Sequence, residues 1–168
     1  DLNWHNYTVV RTLDNTYFYF DGVLSATAGY AIPVPDESIG FPTTQNFYIG
    51  SGWGGPGSEP WNGSVDELRV WGRGLCADEI AANYQCEISV ATTGVLAAFN
   101  FNQCISDGSN ATENIVTDAS GFGNTLALNN FSLIGSTSNW VAPGGVTTGN
   151  SCTPVTTTIY YVDADGDG

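Results

Sequence analysis

Tyr17-Phe18-Tyr19-Phe20-Asp21-Gly22-Val23-Leu24 is the stretch whose reading decides the fold. Aromatic residues crowd its first half, Asp-Gly supplies a two-residue turn that tolerates positive φ, and β-prone residues resume at once. That combination predicts an antiparallel hairpin. Upstream, His5-Asn6-Tyr7-Thr8-Val9-Val10-Arg11 is β-branched and aromatic, and predicts a neighbouring strand. Downstream, Asn46 to Gly50 reads as a short strand ending at glycine, and Ser64 to Trp71 alternates again. In the latter, Val65, Leu68 and Val70 fall slightly out of phase, which points to a bulge. Gly94 to Asn102, Ile115 to Asp118, Thr125 to Leu128, Phe131 to Ile134 and Thr156 to Val162 are further short β-prone segments.

One helix interrupts them. Cys76-Ala77-Asp78-Glu79-Ile80-Ala81-Ala82-Asn83-Tyr84 places acids in its first turn, where the positive end of the helix dipole favours them. Cys76 and Glu79 occupy the positions of a capping box, although cysteine caps poorly. Short strands punctuated by turns, with a single brief helix, predict an all-β antiparallel sandwich.

Composition narrows the function. The chain has 168 residues, with 17 acidic residues against 3 basic ones (Arg11, Arg69, Arg73), and a formal net charge of -14. Nucleic acid and anionic membrane both require basic surface, so neither is an expected partner. Charged residues are only 12% of the chain, against about 25% in a typical soluble domain, and Thr, Ser, Asn and Gly take their place. No apolar run is long enough to span a membrane. The absence of Met leads to the expectation that the chain is a piece of a larger protein. Four cysteines (Cys76, Cys86, Cys104, Cys152) with a single His and no Cys-x-x-Cys pair read as disulfides of an exported protein rather than as a zinc site. Sequons at Asn6, Asn62, Asn110 and Asn130 are largely what chance supplies in so Asn- and Thr-rich a chain.

Two segments carry candidate chemistry. The loop Trp53-Gly54-Gly55-Pro56-Gly57-Ser58-Glu59-Pro60-Trp61 sets two indoles among small residues. An exposed indole can stack on a sugar ring, with Glu59 and Asn62 hydrogen bonding to its hydroxyls. Asp163-x-Asp165-x-Asp167-Gly168 repeats the first half of a calcium loop, in which alternate carboxylates converge on one hard cation. The closing ligand would lie beyond Gly168. Catalysis has no visible seat. Asp66 and Glu67 are adjacent on an expected strand and would face opposite ways, whereas a glycosidase needs carboxyls facing each other at about 5–9 Å. His5 has no nucleophile motif beside it and is expected to be structural. The chain is not read as an enzyme.

Trp4 to Arg11, Phe18 to Leu24, Phe47-Tyr48-Ile49-Gly50, Trp61 to Trp71 and Arg73-Gly74-Leu75 through Ile80, in that order, resemble the laminin-G-like, concanavalin A-type jelly roll. The resemblance covers about residues 2–85 and implies an antiparallel jelly-roll β-sandwich. In that family these phrases form the second half of the domain, so the first half is expected before Asp1. The resemblance implies that Trp61 packs on the sandwich, which leaves Trp53 as the better ligand candidate; Trp4, Trp71 and Trp140 are expected in the core. It also supports a Cys76–Cys86 bridge. A fully helical 76–86 would separate the two by about 15 Å, against a limit near 7 Å for a disulfide, so pairing requires the helix to end near Asn83. Cys104–Cys152 would then tie the following segment to the sandwich; the alternative is Cys86–Cys104 with Cys76–Cys152.

Leu96 to Asn102 and Asp118 to Asn124 resemble the family's opening phrase, yet follow its closing one. They open a second repeat or close the same sandwich; the Pro/Gly/Thr-rich stretch after Val141 favours closure. The expected layout is a laminin-G-like sandwich at 1–92, closing strands at 93–142, a linker at 143–158 and the start of an Asp-rich calcium repeat, similar to thrombospondin type 3 repeats, at 159–168. The order of these phrases is also similar to modules in large surface adhesins of gliding bacteria, exported by the type IX route. The resemblance thus implies a non-catalytic module of a secreted bacterial cell-surface adhesin, binding extracellular glycans or surfaces or spacing neighbouring domains along a filament. Two alternatives stand: a carbohydrate-binding accessory module of a secreted polysaccharide-degrading enzyme, and a type IX secretion substrate held by its export machinery.

Overall fold

The structure is a computed structural model that describes residues 2–12, 14–29, 47–52, 58–88 and 92–153. Its first sheet contains β1 (Tyr7–Arg11), β2 (Asn15–Phe20) and β3 (Val23–Gly29), antiparallel and in sequence order. Phe20 pairs with Val23 across the expected two-residue turn. Asp21 (φ 47°) and Gly22 (φ 78°) both adopt the left-handed conformation that such a turn needs. Gly22 has a second reason to be glycine: a Cβ there would lie 2.8 Å from Cδ1 of Tyr84, just beyond the helix. The β2–β3 register slips at Phe18/Tyr19.

α1 (Ala77–Asn83) covers one face of this sheet, where Val10 and Tyr19 pack with Ile80, flanked by Tyr17 and Leu75. Glu79 fixes the start of α1. Its Oε2 accepts the Cys76 N–H at 3.0 Å, and the Arg73 guanidinium donates to both of its oxygens at 2.8 and 2.6 Å. The helix stops at Asn83, although the Cys76–Cys86 bridge from which that end was argued does not form. On the opposite face Tyr7 pairs with Phe20 and Val9 with Phe18, and all four are exposed.

β4 (Leu68–Trp71) pairs antiparallel with β5 (Val95–Phe99), and β6 (Ile115–Val116) with β7 (Leu126–Ala127). Ala97, Phe99 and Val116 form a second core, closed by Leu68, Val70, Leu126, Leu128 and Trp140. Asp118 staples its edge. The N–H groups of Ala98 and Ser120 donate to Oδ1 at 3.0 and 2.8 Å, and that of Asn124 donates to Oδ2 at 2.9 Å. This explains the Asp118 to Asn124 phrase: a buried carboxylate gathers two amides of its own turn and ties them to one from β5.

Among the described residues the architecture is all-β and antiparallel with one short helix, as expected. Several boundaries differ. The strand expected over 64–71 begins only at Leu68, because Glu67 takes φ 49°, and the register with β5 slips between Val70 and Trp71. Phe47 to Gly50 forms no strand. Phe131 to Ile134 contributes only a bridge from Ile134 to Ser109, since Asn130 and Leu133 have φ of 62° and 58°. The segment expected over 156–162 lies outside the described residues.

Residues 143–152, whose composition is that of a linker, lie against the body. Asp66 Oδ2 accepts the N–H groups of Gly145 and Val146 at 2.7 and 3.1 Å. Thr148 Oγ1 donates to Asn102 Oδ1 at 3.1 Å, Gly149 N–H to Glu87 Oε2 at 2.9 Å, and Asn150 Nδ2 to the Gln85 carbonyl at 3.0 Å. Cys152 ends this strap in a disulfide with Cys86, Cα atoms 4.9 Å apart. Cys76 and Cys104 are unpaired, which corrects the expected Cys76–Cys86 and Cys104–Cys152 pairs and the alternative as well. Glu87 and Ser151 form a β-bridge, which sets the neighbouring Cys86 and Cys152 side by side.

Candidate functional site

The loop before β4 folds as a ribbon pinched at two rungs. The Trp61 N–H donates to the Gly50 carbonyl at 3.0 Å, and the Gly52 N–H to the Ser58 carbonyl at 2.7 Å. Ser51 Oγ adds a bond to the same Ser58 carbonyl at 3.1 Å. Glycines face the bulky residues across the ribbon. A Cβ on Gly50 would meet Trp61 Cβ at 3.6 Å, and one on Gly52 would collide with the Glu59 carboxylate. The indole then turns over Gly63, where a Cβ would lie 2.6 Å from Trp61 Nε1.

Trp61 is 64% exposed. That corrects the expectation that it packs on the sandwich: the ribbon is backed by glycine on both arms, so the ring rests on backbone and leaves most of its surface to water. Glu59 and Asn62 are also exposed and flank it in sequence. Three of the sugar-binding candidates, Glu59, Trp61 and Asn62, are therefore on one solvent-facing ribbon. The fourth, Trp53, lies outside the described residues, as do Asp163, Asp165 and Asp167 of the expected calcium loop. Among the described residues no group of three His, Cys, Asp or Glu side chains is placed to hold a metal.

A second concavity, of about 70 Å³, lies where the strap crosses the body, with Trp4, His5, Asp21, Asp66, Glu67 and Tyr84 in its wall. Trp4 is 39% exposed, not core. Gly145 sits on its indole, where a Cβ would come within 3.0 Å of the ring. Asp66 and Glu67 line this same concavity, against the expectation of opposite faces; the positive φ of Glu67 breaks strand alternation there.

The carboxylates in that wall are already engaged. Asp21 accepts the Asn6 N–H at 2.8 Å and sits 2.8 Å from His5 Nδ1, and these bonds hold its pKa below the ordinary range. Asp66 holds the strap and the Glu67 N–H. Burial pushes the Glu67 carboxyl up, opposed by the Arg69 guanidinium at 3.0 Å. His5 also stacks on Phe20 with ring centroids 4.6 Å apart, in keeping with the structural role expected of it. The arrangement can orient a strap; it does not present a proton donor opposite a free base.

Trp71 and Trp140 are half-buried, Trp71 beneath the Arg73 guanidinium at 5.4 Å and Trp140 against the second core. Of the four sequons, Asn110 is buried, its amide donating to the Ile105 carbonyl and to Asn139 Oδ1. A tie from Cys152 to the body was expected, but with Cys104 and not Cys86 as its partner, and the strap's hydrogen bonds and Asp66 anchor were not foreseen. Their only sequence signal is a fourth cysteine beyond a Gly-Gly turn, which names no partner.

Residues 1–81 match the model of a family described as the Concanavalin A-like lectin/glucanases superfamily, of laminin-G type. Among solved structures, the chain is similar to one titled a "putative carbohydrate binding protein" from Bacteroides ovatus ATCC 8483, with a TM-score of 0.53 and 20% identity. The alignment covers 76% of this chain and only 37% of that one. At that identity the likeness shows the fold alone; the concanavalin A-like description comes from the family model over residues 1–81. No curated protein matches the chain.

Proposed function

From the match of residues 1–81 to the concanavalin A-like lectin/glucanases superfamily model, we propose that the chain is a non-catalytic glycan-binding module whose contact surface is the Trp61 ribbon. One observation carries this reading. The Trp61 indole is 64% exposed and braced on Gly63, beside an exposed Asn62 amide. A rigid apolar ring with a polar rim suits the face of a pyranose, whose C–H groups stack on an aromatic while its hydroxyls take hydrogen bonds. Trp53, eight residues earlier in the same loop by sequence, is proposed as a second stacking partner, and Glu59 as a hydroxyl acceptor.

The module's setting is proposed as a secreted bacterial surface adhesin that binds extracellular glycans, exported by the type IX route and serving attachment or gliding. Residues 159–168 would begin a calcium-binding repeat through Asp163, Asp165 and Asp167. The Cys86–Cys152 disulfide fits an oxidising compartment, and among the described residues no helix is long and apolar enough to cross a membrane. The glucanases in the family description favour a second reading, an accessory module of a polysaccharide-degrading enzyme.

A glycan array probed with the wild-type chain, Trp61→Ala and Trp53→Ala tests the proposal. Binding that weakens about ten-fold or more in Trp61→Ala is expected. A wild-type chain that binds no glycan, with or without calcium, would overturn it.

A further inference from the structure

We infer that the Trp61 surface selects uncharged glycans and rejects acidic ones, an inference that rests on the glycan-binding reading above. Recognition of a uronate or a sulfate uses Arg or Lys, which meet the anion with paired, charge-assisted hydrogen bonds. This chain has no Lys, and its three basic residues are all arginines.

The arginines are committed elsewhere. Arg69 is almost wholly enclosed: its Nη1 donates to the Asn83 carbonyl at 2.7 Å, and its Nη2 to Glu67 at 3.0 Å and to the Cys86 carbonyl. Arg73 is spent on Glu79 in a two-pronged pair. Arg11 lies on β1 opposite Thr16 and has a contact of its own. The single His is held by Asp21.

The ribbon adds the opposite sign. Across the described residues 47–52 and 58–65, Glu59 is the only charged side chain, and it lies against Gly52 two residues from the indole. An acidic sugar on Trp61 would meet that carboxylate with no cation to offset it, inside the field of a chain carrying a net -14. A neutral sugar meets neither obstacle and can use the same carboxylate as a hydroxyl acceptor. Selectivity here is exclusion by charge, which salt weakens.

The test compares neutral and charged forms of one polymer backbone: dextran against dextran sulfate, hydroxyethyl cellulose against carboxymethyl cellulose, and fully methyl-esterified polygalacturonate against polygalacturonate. The whole chain is titrated in EDTA at low salt, beside Trp61→Ala verified as folded by circular dichroism. We expect a neutral polymer to bind, to lose affinity in Trp61→Ala, and to exceed its charged counterpart by about ten-fold or more at low salt, with the gap narrowing as salt rises. A charged member bound as tightly as its neutral counterpart overturns the selectivity and leaves glycan binding standing. Neutral binding untouched by Trp61→Ala overturns the assignment to this ribbon. No binding to any of the six polymers overturns both the selectivity and the glycan-binding reading.

Discussion

Asp66 accepts the backbone N–H of Gly145 at 2.7 Å, joining residues 79 positions apart in the chain. The same oxygen takes the Val146 N–H, and Oδ1 takes that of Glu67. One carboxylate thus fixes both the entry to β4 and the first turn of the strap. Asp66→Ala removes all three bonds. It is expected to cost about 1–2 kcal/mol and to open residues 143–150 to limited proteolysis, read by mass spectrometry of the fragments. An unchanged cleavage pattern would mean that the disulfide and the bonds of Thr148, Gly149 and Asn150 hold the strap without Asp66.

The Cys86–Cys152 bridge closes a loop of 66 residues. In the chain-entropy account such a closure stabilises by about 4 kcal/mol. Cys152→Ser is therefore expected to lower the melting temperature by roughly 10 °C. Peptide mapping without reductant should recover a single linked pair, with Cys76 and Cys104 alkylated. A Cys76–Cys86 peptide would contradict the observed pairing.

Asp118 ties acid stability to the second core. Burial alone would raise its pKa, but the bonds from Ser120 and from the amides of Ala98 and Asn124 prevail and hold it down at about 2. Glu79, paired with Arg73, is likewise held at about 2. Both lie below their ordinary values of 3.8 and 4.5. Each ion therefore adds stability that is fully present above its ordinary value and is lost as pH falls through about 2. Denaturant midpoints measured between pH 6 and pH 2 should fall most steeply below pH 4.5. Asp118→Asn should flatten that fall and cost about 2 kcal/mol at neutral pH, since an amide NH2 would face the Asn124 N–H.

Gly22 combines positive φ with an approach to Tyr84 that leaves no room for a methyl group. Gly22→Ala is expected to destabilise by about 2 kcal/mol or more, measured by urea unfolding. A neutral result would mean that the hairpin does not dock on the helix as described.

The hairpin at Tyr17 to Leu24 and the start of the helix after Cys76 were legible because their determinants are local. Period-two aromatics, an Asp-Gly pair and first-turn acids each act over a few residues. The strap was illegible because its bonds join residues far apart in the chain, from 46 positions for Thr148–Asn102 to 80 for Val146–Asp66. No pattern near Asp66 announces them. Asp66 and Glu67 were misread because strand alternation was extended through Glu67, whose positive φ redirects the side chains there. Trp61 was expected in the core on the family resemblance, which says nothing of the glycines that prop its ring here. The four glycan candidates (two Trp, one Glu and one Asn) were recognised by type, yet the exposure of Trp61 depended on glycines at 50, 52 and 63 that only their cross-ribbon partners make meaningful.

The central claim is that an exposed indole, propped by Gly63, is the contact surface for sugar. The most direct measurement is isothermal titration of one glycan found on the array against wild type and Gly63→Ala, whose added methyl must displace Trp61 Nε1 while its aromatic area is retained. A loss of affinity of about five-fold or more, with thermal stability unchanged, is the predicted result. Full affinity in Gly63→Ala together with full affinity in Trp61→Ala would contradict the account.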